Sequence, residues 1–323
     1  MSMTRAELQD AARKAFGEAG PAPDAVASWG LISEMGWLMM AVPEALGGLG
    51  LGREAAGVIH AELGRALVPG PAIAQMLVIE ALASADRLPE RDDLLGRAMA
   101  GEVMTTSLAG DGSLTCVPDA DRASHILTIE PGLIALVAMD GADNAARETW
   151  DRTRRLFDVR PVGSGLTLAE GDSANSLAQR LNAQLSLALA GDSLGGADAV
   201  LEMTVDYLKT RRQFGRPLAL FQALKHRVAD MKTWLSAAEA LFWSRAGDPT
   251  TSLDDIGALK AHATRVAAAI AEDAIQLHGG IGLTMEHHCH LFLKRAMLNV
   301  ALGGNADRWE EQAGRALLRK ATA

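Results

Sequence analysis

The 323-residue sequence is poor in cysteine and contains no long apolar run. Its two cysteines, Cys116 and Cys289, do not form a CxxC pair, and two residues are too few for a disulfide framework. No stretch approaches the roughly 18 uninterrupted apolar residues that a membrane span requires. The N-terminal residues carry charges every few positions and lack the apolar segment of a secretory signal. We therefore expect a cytoplasmic protein in a reducing compartment, without a membrane span.

The sequence also lacks an excess of basic residues and has few aromatic ones. Lysine and arginine number 31 against 40 aspartate and glutamate residues, which gives a formal net charge of −9. Binding to the phosphate backbone requires basic patches, so we exclude nucleic acid as a partner. Aromatic residues make up 4% of the chain, with a single tyrosine. A chain dominated by alanine, leucine and glycine is expected to pack helices on small side chains.

Apolar periodicity predicts helices in two regions of the chain. Residues 5–100 have the helical period, interrupted by the glycine-rich loop 42–50, and the period returns from about residue 176. A long helix follows Gln222, and another begins near Ser252, a suitable N-cap. The later region contains Gly191, Gly195 and Gly196, and each glycine costs a helix about 0.5–1 kcal/mol relative to alanine. Close packing of a neighbouring helix, or a binding surface, would offset that cost.

Between these regions, three short runs predict strands of a small sheet. They lie at 114–117, 125–129 and 133–139 and are bounded by proline and glycine. Helices, a sheet and helices again define an α+β, mostly α fold class. The predicted domains are an N-terminal helical domain at 1–102, an abbreviated β domain at 103–173 and a C-terminal helical bundle at 174–323.

Three ordered segments carry distinctive residues. They are RRQFGRP at 211–217 continued by FQALKHRVADM at 221–231, then QLHGGIGLTME at 276–286, and the loop VPEALGGLG at 42–50. Together they resemble two C-terminal motifs and the first-domain loop of the acyl-CoA dehydrogenase family. The resemblance covers both helical regions of the chain.

The resemblance implies FAD bound at a subunit interface, beside a C-terminal four-helix bundle. The residues that it assigns to the flavin nucleotide are Arg211, Phe214, Gln222, Gln276, Gly279 and Gly280. In that assignment Arg211 contacts the pyrophosphate, Phe214 packs against the adenine end, and the two glutamines hydrogen-bond the nucleotide. A guanidinium suits a diphosphate, and glycine lets a backbone approach closely. Each residue met alone has an ordinary alternative, such as a solvated cation, a core aromatic or a helix C-cap.

The catalytic base of the family is absent from this sequence. Family members remove an α proton with a glutamate while a hydride leaves the β carbon for the flavin. Counting from Gly280 without gaps places this base at Gly303, which has no side chain and cannot take a proton. The family's alternative position falls at Leu185. We therefore predict no catalytic residue in this chain.

The middle region also departs from the family. The Thr-Glu-Pro-x-x-Gly-Ser type segment and the Trp-Ile-Thr type strand that hold the flavin ring are not present. This combination is similar to the short subunits of heteromeric α2β2 acyl-CoA dehydrogenases, whose known substrates are CoA esters of steroid side chains. The resemblance implies an FAD-sharing oxidoreductase subunit of a heterotetramer, active only with a longer partner chain that carries the glutamate. It further implies an acyl-CoA substrate and electron-transfer flavoprotein as the acceptor.

Two other functions remain open at this stage. One is a homo-oligomeric flavoenzyme with a relocated base, for which Asp307 is the only nearby carboxylate, although a surface helix residue explains Asp307 as well. The other is a flavin-free assembly subunit. The run His287-His288-Cys289-His290 suggests a metal, but on a helix only His287 and His290 could face one ion, and a fourth ligand has no obvious source. We therefore expect no metal site.

Overall fold

The computed structural model describes residues 4–17 and 20–322, and the N-terminal part of this chain is helical. The bounds are α1 Arg5–Gly17, α2 Ala25–Glu34, α3 Gly52–Arg65, α4 Ala72–Ala83 and α5 Arg91–Met99. The carboxylate of Asp24 caps α2 by accepting the backbone N–H groups of Val26 and Ala27. The helical prediction for this region is confirmed, and the loop 42–50 interrupts it as expected.

Two small sheets follow. The strands are β1 Met104–Thr106, β2 Val117–Pro118, β3 His125–Glu130, β4 Leu133–Ala138, β5 Asp143–Arg147, β6 Leu156–Arg160 and β7 Leu166–Glu170. One sheet has the order β1-β3-β4-β7, with β1 parallel to β3 and the other pairs antiparallel. The second sheet has the antiparallel order β2-β6-β5. Apolar residues of the two sheets pack together in one small core, which we call the middle layer.

The structure corrects the strand predictions in two ways. The strand expected at 114–117 is reduced to β2, because Cys116 has a φ of 53° in the left-handed region and ends the extended run. The sequence analysis missed β1, β5, β6 and β7. In β5 the residues Asp, Asn, Ala, Ala and Arg are weak strand formers and mostly exposed, so pairing with β6 rather than local preference forms this strand.

The C-terminal part is a bundle of long helices. Its elements are α6 Gly171–Thr210, a hairpin of β8 Arg212–Gln213 and β9 Arg216–Pro217, α7 Gln222–Ala246, α8 Leu253–His278, α9 Cys289–Ala301 and α10 Ala306–Thr322. The 40-residue α6 runs through the middle of the molecule and contacts α3, α7, α8 and α9. None of the helices in the described part of the chain combines the length and apolar character that a membrane crossing needs.

The two predicted bundle helices form as expected. Helix α7 buries Met231, Leu235 and Phe242, which are spaced by four and seven residues on one face. Helix α8 begins after Ser252, whose hydroxyl oxygen accepts the backbone N–H of Asp255 at 3.2 Å. The acidic first turn of α8 complements its helix dipole.

Glycines allow α3 and α6 to approach closely. A Cβ on Gly195 of α6 would overlap the carbonyl oxygen of Ala61 in α3, and a Cβ on Gly64 would overlap the carbonyl oxygen of Asp192. The two backbones therefore touch without intervening side chains. This contact confirms that close helix packing explains the glycine in the middle of α6.

A buried cluster of charges joins the middle layer to the bundle. Asp192 of α6 lies 3.1 Å from Arg154 of the β5–β6 loop and 3.5 Å from Arg295 of α9. Asn299 donates a 2.7 Å hydrogen bond to the same carboxylate, and Asp151 lies 3.9 Å from Arg295. Burial by itself would raise the pKa of Asp192, but the two arginines outweigh it, so its pKa lies below the ordinary value.

Candidate functional site

The first motif forms an exposed hairpin at the end of α6. Strands β8 and β9 are joined by two residues with positive φ, Phe214 at 51° and Gly215 at 80°, as in a type I′ turn. Gly215 meets this requirement without strain, whereas a bulky residue such as Phe214 rarely adopts it. The Phe214 side chain is 89% exposed at the tip. The turn therefore presents an aromatic face outward instead of burying it in the core.

The hairpin is anchored to the start of α7. The Phe214 ring meets Phe221 edge to face at 6.1 Å between centroids, and the guanidinium of Arg216 lies 3.9 Å from the Phe221 ring. The Leu218 N–H donates to the carbonyl of Arg211 at 2.8 Å and closes the loop. Arg211 and Gln222 are both exposed. Their side chains are available to a ligand or a partner chain.

The second motif lies at the end of α8. Gly279 ends the helix with a φ of 67°, and Gly280 follows it. A Cβ added to either glycine would meet nothing within 4 Å, so the positive φ of the helix C-cap explains Gly279 and packing within this chain does not require Gly280. Gln276 is also exposed. An open, side-chain-free surface of this kind fits the backbone approach that a bound nucleotide would need.

The structure brings the two motifs to the same end of the bundle. Tyr207, one turn before Arg211 in α6, stacks on His278 at the end of α8 with 4.5 Å between centroids. On the α7 side, the Arg227 guanidinium donates to the carboxylate of Asp273 in α8. The six residues assigned to the flavin nucleotide therefore lie on three neighbouring element ends. The sequence analysis overlooked Tyr207, although its position one helical turn before the motif was a usable signal.

A cluster of possible metal ligands lies behind this surface. The cluster consists of His278, His287 and Cys289, and each residue places one possible ligand atom within 4.8 Å of those of the other two. This set differs from the pair that helical geometry suggested, because His287 precedes α9 and is not on a helix. Burial raises the pKa of Cys289 to about 12, which keeps the thiol protonated. His278 Nδ1 faces the carbonyl of Ala274 at 2.7 Å, and its ring stacks on Tyr207, so these contacts already hold it.

Gly303, where the sequence analysis expects the family's base, is buried. It has a φ of 66°, and its N–H donates to the carbonyl of Leu108 at 2.7 Å. A Cβ here would lie 2.8 Å from Leu189 Cδ1, and a Cβ on Gly110 would lie 2.9 Å from Gly303 Cα. The indole of Trp309 donates to the Gly303 carbonyl at 2.9 Å. The Leu189 and Leu185 side chains therefore lie where a Cβ at Gly303 would point.

A buried lysine strengthens this closed segment. Lys260 of α8 is fully buried and donates to the carbonyls of Val300 at 3.0 Å and Gly304 at 2.7 Å. Burial lowers its pKa to about 8. These bonds satisfy the carbonyl of Val300 in the last turn of α9, which the helix leaves unpaired, and that of Gly304 in the loop that follows. The sequence analysis overlooked Lys260, although its place beside Leu259 on the buried face of α8 was a signal.

The alternative base positions offer no buried carboxylate. Leu185 is 3% exposed and belongs to the hydrophobic core. The Asp307 side chain is 89% exposed and lies 3.8 Å from Arg265, so it is a surface helix residue. Leu185 lines a small cleft beside Gly110, together with Leu77 and Leu181. In the described part of the chain, the cleft lining contains no acidic side chain.

Comparison with known proteins agrees with this geometry. The family model "Acyl-CoA dehydrogenase, N-terminal domain" matches residues 2–102, and "Acyl-CoA dehydrogenase, C-terminal domain" matches residues 178–318. Acyl-CoA dehydrogenase IpdE2 of Mycolicibacterium smegmatis is 33% identical over 269 residues, which cover 83% of this chain and 80% of the relative. Acyl-CoA dehydrogenase FadE28 of Mycobacterium tuberculosis is 29% identical over 313 residues, covering 88% and 90%.

Solved structures have the same fold over nearly the whole chain. A chain of a variant of the Tcur3481-Tcur3483 steroid acyl-CoA dehydrogenase matches with a TM-score of 0.87 and 26% identity, covering 99% of both chains. A chain of the ChsE4-ChsE5 complex from Mycobacterium tuberculosis matches with a TM-score of 0.85 and 22% identity, covering 98% of this chain and 99% of that one, which shows the fold. By its family models, its relatives and its fold, this chain belongs to the acyl-CoA dehydrogenase family.

Proposed function

We propose that this chain is the FAD-sharing subunit of a heteromeric acyl-CoA dehydrogenase in the cytoplasm. A longer partner chain carries the catalytic glutamate and the flavin ring pocket. The assembly, an α2β2 heterotetramer, introduces a double bond between the α and β carbons of an acyl-CoA thioester. Electron-transfer flavoprotein accepts the electrons.

The closed segment around Gly303 is the observation that carries this proposal. A base at this position would need a carboxylate, but glycine has none, and the positive φ of Gly303 together with the nearby Leu189 side chain disfavours a longer residue here. Asp307 is exposed and paired with Arg265, which disfavours a relocated base. A family member without a base contributes to the reaction only by completing the site of another chain.

The exposed end of the bundle supports the flavin part of the proposal. Arg211 would pair with the pyrophosphate, Phe214 would cover the adenine, and Gly279 with Gly280 would let the backbone come close. When bound, FAD supplies a hydride acceptor. This chain's own contribution is to bind and orient the nucleotide end, since its charged and aromatic side chains here are exposed rather than used internally.

The substrate class follows from the relatives. Tcur3481-Tcur3483 is a steroid acyl-CoA dehydrogenase, and ChsE4 and ChsE5 form a complex. We extend both features to this chain and propose a steroid side-chain CoA thioester as the substrate of the assembly.

The test is the visible spectrum and mass of the chain purified alone and after co-expression with a longer acyl-CoA dehydrogenase chain encoded beside it. We expect a colourless chain alone and a yellow complex with one flavin per heterodimer. A yellow homo-oligomer with dehydrogenase activity would overturn the shared-site proposal. A complex whose flavin content does not depend on this chain would favour the flavin-free assembly subunit.

The variant Arg211→Ala tests the nucleotide contact within the same complex. Loss of one charge-assisted hydrogen bond costs about 1.5–3 kcal/mol, which corresponds to roughly 10- to 100-fold weaker FAD binding. The complex should remain assembled, as measured by its mass. Arg160→Ala, which removes an exposed arginine at the end of β6, is the matched control and should retain its flavin. Equal flavin occupancy in both variants would refute the role of Arg211.

A further inference from the structure

The hairpin and the start of α7 form a basic segment in an acidic chain. Residues 207–229 contain six arginines and lysines and no aspartate or glutamate, whereas the whole chain has a formal net charge of −9. Two of the six are neutralised by flanking or neighbouring carboxylates, since Lys209 lies 2.9 Å from Asp206 and Arg227 donates to Asp273. In the described part of the chain, the remaining four lack a carboxylate within 4 Å.

The four unpaired cations are Arg211, Arg212, Arg216 and Lys225, and all four side chains are exposed. We call them the basic surface. Strands β8 and β9 keep the three arginines on one hairpin. Lys225 follows Phe221 by one helical turn, and the Phe221 ring lies against Arg216. Unpaired like charges at such short range repel one another, so this arrangement favours the binding of an anionic partner.

Large apolar side chains are exposed at the same end of the bundle. Phe214 lies at the tip of the hairpin and Leu220 between the hairpin and α7, while Leu283 and Met285 follow the second motif. Leu220 is 52% exposed and Leu283 is 71% exposed. Exposed apolar residues gathered in one region mark a binding surface, and aromatic residues, methionine and arginine are enriched in protein–protein interfaces.

The flavin nucleotide does not account for the whole of this region. The proposed contact with its diphosphate uses Arg211, which leaves Arg216 and Lys225 without a counterion in the described part of the chain. Nucleic acid would meet the cations through phosphate and an aromatic ring through stacking, but it would leave the aliphatic Leu220 and Leu283 exposed. A protein surface with apolar residues and an acidic rim meets both requirements.

We propose that the basic surface docks the longer partner chain through an acidic patch of that chain, with Arg216 and Lys225 facing the patch. The inference rests on the proposed function, because a nucleotide held here would reach a ring pocket in the other chain. Leu220 and Leu283 supply apolar contact area, and the cations select the partner and its orientation. Association of the two chains therefore weakens as salt screens these charges.

The assembled fraction of the co-expressed complex, measured by mass after dilution at low and high ionic strength, tests the proposal. The double variant Arg216→Glu with Lys225→Glu should dissociate at a concentration at least tenfold higher than the natural complex at low ionic strength. The difference should shrink at high ionic strength. Arg87→Glu with Arg122→Glu makes the same change of charge at exposed positions elsewhere and should assemble as the natural chain does.

A second measurement covers a complex that stays assembled on dilution. Natural and variant chains then compete for the partner during co-expression, and mass spectrometry counts which chain is incorporated. Lys225→Glu alone leaves the contact between Arg216 and Phe221 in place, so a deficit with this variant does not come from a disturbed hairpin.

Equal assembly of the two double variants, or a difference that salt does not reduce, would overturn the inference. A yellow complex with one flavin per heterodimer that is equally tight in all variants would refute this inference alone. Absence of any complex would refute the proposed function with it. Binding to vesicles of phosphatidylcholine and phosphatidylserine that Arg216→Glu with Lys225→Glu abolishes, while the complex is unaffected, would assign the surface to a membrane instead.

Discussion

At the scale of single residues, burial determines the chemistry of several titratable groups. His60 is the sharpest case, because burial lowers its pKa to about 4 while Asp192 opposes the shift and Arg154 adds to it. Lys260 keeps its charge near backbone carbonyls at a pKa of about 8. Sequence identified these residues only as a histidine and a lysine within helices. Their altered properties come from the low dielectric around them.

The His60 shift predicts a specific loss of stability in acid. The folded chain keeps His60 neutral, whereas the unfolded chain protonates it below about pH 6.5, so unfolding takes up a proton. The contribution of His60 to the free energy of unfolding is complete above the pKa of the histidine in the unfolded chain. It decreases as the pH falls toward 4, the pKa in the folded chain. Between pH 7 and pH 5 the decrease should be about 2 kcal/mol.

Urea unfolding at both pH values measures this effect, with His60→Gln as the comparison. The other histidines are common to both proteins and cancel in the difference. The variant should lose about 2 kcal/mol less than the natural chain between pH 7 and pH 5. Identical pH profiles would show that His60 is not buried in its neutral form.

At the scale of secondary-structure elements, the contact between α3 and α6 organises the helical core. Gly64 and Gly195 remove the side chains that would separate these helices, and Ala61 fills the remaining space. The sequence indicated only that glycine within a helix needs compensation. The structure shows that α3 is the partner of α6. The sequence could not identify it, because the two helices are more than 100 residues apart in the chain and no local pattern links them.

Gly195→Ala should therefore destabilise the fold. Alanine favours the helix by about 1 kcal/mol, but its Cβ overlaps the Ala61 carbonyl oxygen, and overpacking typically costs 1–3 kcal/mol or more. We expect a net loss of about 1–2 kcal/mol in the free energy of unfolding. Gly314→Ala in α10 is the control, since its Cβ meets nothing within 4 Å and should stabilise the helix. A stabilised Gly195→Ala would contradict the close approach.

At the scale of the whole molecule, the charge cluster around Asp192 holds the three parts of the chain together. Arg154 comes from the middle layer, Asp192 from α6 and Arg295 from α9, and Arg295 also donates to the carbonyl of Val68 in the N-terminal part at 2.7 Å. A buried carboxylate between two guanidinium groups is stable only while all members are present. The cluster therefore couples the folding of all three parts.

Asp192→Asn should cost about 3–5 kcal/mol of stability, because it leaves two buried arginines without their shared counterion. Asp158→Asn removes the partner of Arg147 at a half-exposed pair and should cost under about 1 kcal/mol. Thermal unfolding of both variants measures the contrast. Equal effects would mean that water reaches the Asp192 cluster.

The same cluster predicts a pH dependence. Since the pKa of Asp192 is lowered, its contribution to the free energy of unfolding should persist above about pH 4. That contribution should be lost as the pH falls through the pKa of Asp192 in the folded chain.

The sequence by itself determined the family resemblance, the α+β class, the two long bundle helices and the absence of a glutamate at position 303. These features depend on local periodicity, capping and side-chain identity, which a linear sequence records directly. The six assigned flavin residues remain predictions, and the structure adds that they lie at one exposed end of the bundle.

Only the tertiary structure decided how Gly303 is closed, which residues surround Lys260, and which histidines meet Cys289. Leu108 and Leu189 reach Gly303 from distant parts of the chain, and His278 meets His287 across the segment that joins α8 to α9. The strand β5 was missed for the same reason, because pairing with β6 outweighs its poor local preference. Contacts between residues far apart in sequence leave no periodic pattern, so the folded chain alone specifies them.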